Sequence, residues 1–333
     1  MTDWTKLSDD ELLKLRIKDL RLNPENSDVF ENIQSVLKEL EEKRLPLKPR
    51  VYFGDEWFSP EGSFAVAIPF YLAHPRLRAL EKKFMLSCEG ESIVEFERLF
   101  RHELGHAFEH AFRVSRRSAW VRIFGSPKKF YQPETYRPRP YSKNFVRNIA
   151  HGYAQAHPDE DFAETFAVWL DPESNWKVKY KNWGAHKKLL YIDKLSKEFE
   201  SRTGKAPKGR LISDANYLES TLRRYYEKKR RFFAEDFPDF YDRDLTKIFS
   251  SKAEGESAAK FLKQNRKTIV QTMSEWTGER KSTIADIFNR LTNRCAELEL
   301  VLPENQAKVL LDVSAFLATL VSHYLFTGHF KRT

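Results

Sequence analysis

Two histidines four positions apart, His102 and His106, are the feature that most restricts this chain. On a helix they share one face, one turn above the other, a spacing at which both imidazoles can grip a single ion. Two imidazoles leave such an ion short of ligands, so a further segment must be folded against the helix to supply one. The helix itself is legible. Ile93, Phe96, Phe100, Leu104, Ala107 and Ala111 form an apolar stripe within a helical pattern running from Glu91 to about Arg113, and the two histidines lie away from it. Gly105 is unusual there, costing about 1 kcal/mol against alanine unless something packs closely. A strand or substrate passing by would explain it, and so would a steric helix contact.

Between the histidines, Glu103 points to a neighbouring side of the helix. HExxH on a helix reads as a zinc metallopeptidase site with the glutamate as general base. His110 continues the spacing, but on a straight helix it rises about 12 Å above His102, too far to share one ion. The HExxHxxGxxH alternative needs a glycine turn that residues 109–111 lack. The better third ligand is Glu160, with Glu164 on the same face of a helix running from Glu160 to about Leu170, whose other side is Phe162, Phe166 and Trp169. One carboxylate would bind the metal and the other would accept a proton from a ligating imidazole. By spacing alone His157 and Asp161 remain rival ligands.

Three stretches together resemble a bacterial family of zinc-binding metallopeptidases: RHELGHA at 101–107, YRPRPY at 136–141 and HPDEDFAETFAVW at 157–169. The similarity runs from about Val51 to Phe199. More distantly, the HExxH helix followed by a Glu-x-Phe-Ala-Glu helix is similar to lethal-factor-like gluzincins. That resemblance implies one zinc ion held by His102, His106 and Glu160, Glu103 as base, and Glu164 in support. It also implies a tyrosine seven residues before the ligand glutamate as oxyanion donor, and Tyr153 stands there. His151 and His157 are the alternatives for that role. The substrate implied is a protein or peptide, and the strand from Ser63 to Phe70 is a candidate for pairing with it.

The remaining chain reads as helix-rich α+β. Residues 1–48 form helices packed on the catalytic domain, opened by the capping-box pattern Ser8-x-x-Glu11 and a helix to about Leu22. Residues 49–200 form a zincin-like domain. In it Arg50–Phe58 and Ser63–Tyr71, joined by the turn sequence Ser59–Gly62, read as an antiparallel hairpin with Pro69 marking an edge or an end. Residues 201–210 read as a linker and 211–333 as an all-helical domain, to which partner recognition or a cover over the cleft can be assigned from position alone.

Composition sets the outer limits. At 333 residues two domains are expected, and 41% apolar content with sparse glycine suits a folded helical protein. The net charge of +9 is spread among charges of both signs, so a soluble surface is the plainer reading than a nucleic-acid interface. Arg223–Tyr226 and Lys228–Arg231 carry that alternative, and on a helix they coat a solvated face. A catalytically silent, metal-stabilised binding protein is a further alternative, against which the presence of Glu103 argues. Cys88 and Cys295 lack metal or disulfide spacing. The start of the chain is polar and acidic, Val309–Phe326 is broken by Asp312 and His323 and reads as a buried helix, and a cytoplasmic, membrane-free location is the default.

Overall fold

In a computed structural model of the chain, α4 (Ile93–Phe112) and α6 (Pro158–Leu170) lie against each other, and the first of two compact units is built around them. The units are Met1–Lys228 and Lys229–Thr333. The structure describes residues 3–45, 48–131, 138–139, 141–200, 202, 211–233, 238–251, 255–303 and 306–327, with the side chains of 150, 151, 238, 306, 307 and 323–327 set aside.

The first unit contains, in order, α1 (Asp9–Leu12), α2 (Phe30–Glu42), β1 (Arg50–Gly54), β2 (Ala65–Pro69), α3 (Pro75–Met85), α4, α5 (Ser118–Phe124), α6, α7 (Trp176–Lys179), α8 (His186–Phe199) and α9 (Leu222–Phe232), the last running across the division. Phe96, Phe100, Leu104 and Phe108 turn the apolar face of α4 into its core, where Phe162, Phe166 and Trp169 of α6 join them. Glu39 of α2 and Arg101 of α4 form a buried bidentate ion pair, at 2.7 and 2.6 Å, that ties these two helices together.

The hairpin expectation fails in its direction. β1 and β2 are parallel, with Tyr52 opposite Ala67 and Phe53 opposite Ile68. The turn at 59–62 does reverse the chain, but the residue it returns to β2 is Phe58, whose carbonyl accepts from Ala67 N at 2.8 Å. Ala67 thus has Phe58 on one edge and Tyr52 on the other. The chain bends through 55–57 to pass from one edge of β2 to the other, which a simple hairpin cannot do. Pro69 is the last residue of β2. Both edges of β2 are therefore engaged at Ala67, where no place is left for substrate pairing.

The N-terminal helix is also shorter than its pattern. The capping box at Ser8 and Glu11 is present, but α1 stops at Leu12. Its continuation is taken by backbone pairing across the unit: Arg223 N donates to Leu13 O, Leu222 N to Leu15 O and Ile17 N to Ser220 O, each at 3.0 Å. Residues 211–228 therefore pack with the first unit, although they follow the expected linker, most of which lies outside the described residues.

The second unit is built from α10 (Asp242–Ile248), α11 (Ala258–Thr277), α12 (Lys281–Glu297) and α13 (Gln306–Thr327). Leu262, Ile269, Ile284, Phe288 and Leu317 are among its buried core, and Val313, Leu320 and Val321 bring the apolar stretch of α13 into it. Among the described residues no helix is long and apolar enough to cross a membrane. On α9, Arg223, Arg224, Lys228, Arg230 and Arg231 are exposed around the buried Leu222 and Tyr226, and Arg230 pairs with Asp239 at 3.1 Å.

Candidate metal centre

α4 and α6 bring their polar faces together at one point. Ser92 caps α4 by accepting from Glu95 N, and the helix is continuous through Phe112, so His102 and His106 are stacked as their spacing requires. α6 begins at Pro158, where a missing N–H costs nothing, with His157 as its cap. One turn separates Glu160 from Glu164 on the face toward α4.

His102 Nε2, His106 Nε2 and Glu160 Oε2 form a nearly equilateral triangle: 3.1 Å between the histidines, 3.1 Å from His102 to Glu160 and 3.2 Å from His106 to Glu160. A tetrahedral zinc ion with bonds of about 2.0–2.1 Å has its ligand atoms about 3.3 Å apart, so the donor set fits. The chemistry of the donors supports the same conclusion. His102 Nδ1 donates to Glu164 Oε1 at 2.9 Å, which leaves a lone pair on Nε2 facing the other two donor atoms. With both Nε2 atoms unprotonated, the three would be facing acceptors, which a cation between them would satisfy. In the metal-free protein burial works against a charge on His102. Its hydrogen bonds with Glu160 and Glu164 nevertheless raise it to about 10, so the field at this point favours positive charge. Glu160 is likewise held far below the usual carboxylate range, burial opposing and both histidines prevailing.

Glu164 is fully buried, and its carboxylate also accepts from Asn148 Nδ2 and Ile149 N, both at 2.8 Å. Those bonds fix the position of the carboxylate and, through it, the orientation of the His102 ring. Glu103 is buried too, and among the described residues its Oε2 has no hydrogen-bond partner. Burial raises its pKa above the ordinary value, with His102 and His106 pulling it back.

Glu103 and the triangle open into a cavity of about 490 Å³. Trp57, Phe58 and Ser59 line one side and Pro127, Lys129 and Tyr131 another. Tyr153 also lines it, its ring 5.7 Å from that of His102 and its hydroxyl 2.8 Å from the Tyr131 hydroxyl. Burial, and then the charge of Glu160, raise both tyrosines far above the ordinary phenol range, so both are neutral donors.

Other candidates are placed elsewhere. His110 lines the cavity but bonds to Ser59 Oγ at 3.3 Å and does not join the triangle. His157 has both nitrogens engaged: Nδ1 accepts from Asp159 N at 3.2 Å and Nε2 donates to Lys129 O at 2.8 Å. Asp161 points into the core, paired with Lys188 at 2.6 Å. The side chain of His151 and residues 136, 137 and 140 of the 136–141 motif lie outside the described residues. Sequence reasoning missed Asn148 and Tyr131, since neither sits in a periodic or spaced pattern. Gly105 has a helix contact as its reason, because an added Cβ would meet Ala163 and Phe166 of α6.

Residues 98–198 match the profile of the family described as "Putative zinc-binding metallo-peptidase". The match runs from the second turn of α4 to the last turn of α8, so it takes in both site helices and not the strands. No curated protein and no solved structure matches the chain.

Proposed function

We propose that this chain is a zinc-dependent peptidase of the gluzincin kind, with a zincin-like first unit. The observation that carries the proposal is the meeting of His102, His106 and Glu160 donor atoms within 4.8 Å, beside a buried Glu103 oxygen that lacks a partner among the described residues. His102, His106 and Glu160 would hold the ion. Zinc bound there supplies a Lewis acid that acidifies water and polarises the scissile carbonyl.

The chain's own groups do the rest. Glu103 takes a proton as the water oxygen bonds to the carbonyl carbon, and delivers it to the amide nitrogen as the C–N bond breaks. Glu164 keeps the His102 lone pair on Nε2. Tyr153 donates a hydrogen bond to the carbonyl oxygen as its charge grows. The cavity beside Trp57 and Phe58 takes an extended peptide.

Metal analysis and cleavage of a randomised fluorogenic peptide pool test this with the wild type, Glu103→Gln and Glu160→Ala. One zinc per chain is expected in the first two, cleavage only in the wild type, and zinc loss in the third. Cleavage by Glu103→Gln at the wild-type rate would overturn the reading, as would full zinc retention by Glu160→Ala.

A further inference from the structure

We infer that Tyr131 is a second oxyanion-binding residue, acting with Tyr153 on the same carbonyl oxygen. The inference rests on the peptidase reading above, and it begins from how Tyr131 is held. Its ring meets that of His157 edge-on, with centroids 5.3 Å apart. Two residues earlier, Lys129 O accepts from His157 Nε2 at 2.8 Å. His157 is in turn fixed as the cap of α6 by accepting from Asp159 N. One imidazole thus fastens the segment bearing Tyr131 to the turn of α6 that carries Glu160.

From that anchor the Tyr131 hydroxyl reaches the Tyr153 hydroxyl at 2.8 Å, and both tyrosines line the cavity with Glu160. The two rings approach from different supports, Tyr153 against the His102 ring and Tyr131 against the His157 ring. Their hydroxyls meet beside the carboxylate of the triangle, within the cavity that also holds Glu103. Each hydroxyl has one proton to donate. In the free protein one of the two protons serves the contact between the tyrosines. A carbonyl oxygen arriving between the hydroxyls accepts from both, and the contact between the tyrosines gives way to two bonds aimed at the developing charge. No covalent bond to either tyrosine forms, and neither loses its proton; the proton taken from water still travels through Glu103 to the leaving nitrogen. Two donors placed before the reaction are the arrangement that favours the transition state over the bound substrate.

The test compares zinc-loaded wild type with Tyr131→Phe, Tyr153→Phe and the double variant. Zinc content is read first, then binding of a pool of phosphinic tripeptides, which carry a tetrahedral anionic centre, and then kcat and KM on the peptide pool. Tyr131→Phe keeps its ring on His157 and is expected to hold one zinc. Its kcat and phosphinate affinity fall about 10- to 100-fold with KM within about twofold. The double variant loses less than the product of the single losses, because the hydroxyls share one oxygen. Unchanged phosphinate affinity and kcat in Tyr131→Phe overturn the inference. A wild type that neither binds the phosphinates nor cuts peptides overturns the peptidase reading itself.

Discussion

Gly105 of α4 and Ala163 of α6 are in backbone contact: a Cβ built on Gly105 would lie 2.8 Å from Ala163 Cα and 3.1 Å from Ala163 O. The contact sits next to His106 and one turn from Glu160, so it sets the separation across which the donor triangle closes.

Gly105→Ala tests that relationship. Helix propensity alone favours alanine by about 1 kcal/mol. Overpacking against a backbone that cannot rotate away costs about 1–3 kcal/mol, and the clash wins. A lower melting temperature and weaker zinc binding are expected, by calorimetry and zinc titration. A rise in both would show that the helices have room to spare.

Glu164→Gln removes a charge that accepts from His102, Asn148 and Ile149. The amide group turns a donor toward groups that are themselves donors, and the His102 ring loses its fixed tautomer. Zinc affinity should fall about 10- to 100-fold, with the three metal-facing residues intact. Competition with a chelator of known affinity reads the change, and an unaltered affinity rejects the supporting role.

The protonation of Glu103 can be followed directly. A general base acts as the carboxylate, and burial moves this one above its ordinary value of 4.5. In the zinc-free protein the Glu103 carboxyl should therefore take up its proton as pH drops through a value above 4.5, read by carboxyl NMR against Glu103→Gln. A midpoint at or below 4.5 in the zinc-free protein contradicts the burial of this carboxyl.

Tyr225, beyond the matched stretch, shares its one hydroxyl proton between Asp55 O at 3.0 Å and Glu56 Oε1 at 3.2 Å, and its ring meets Phe70 edge-on. It braces the bend that leads to Trp57 and Phe58 at the cavity. Tyr225→Phe keeps the ring and should cost about 0.5–1.5 kcal/mol. Hydrogen exchange at residues 55–58 should quicken while β1 stays protected. Equal exchange in both proteins would show that the bend is held without Tyr225.

What the sequence determined by itself was local. The period of 93–112 specifies the helix, the spacing of 102, 106, 160 and 164 specifies which side chains share a face, and Ser8 with Glu11 specifies a cap, because each is settled within a turn or two of backbone. Tertiary structure decided what depends on neighbours distant in the chain. His157 and Asp161 were as well spaced as Glu160, yet one is occupied by Lys129 O and its capping bond, and the other faces Lys188 in the core. The parallel sense of β1 and β2 arises because the turn at 59–62 returns Phe58, not β1, to Ala67. α1 ends early because residues 218–223 supply other partners for its backbone. Asn148, Tyr131 and Tyr225 lie in no pattern of their own. Their partners are chosen by packing, and a hydrogen bond between separated segments leaves no trace in the periodicity of either.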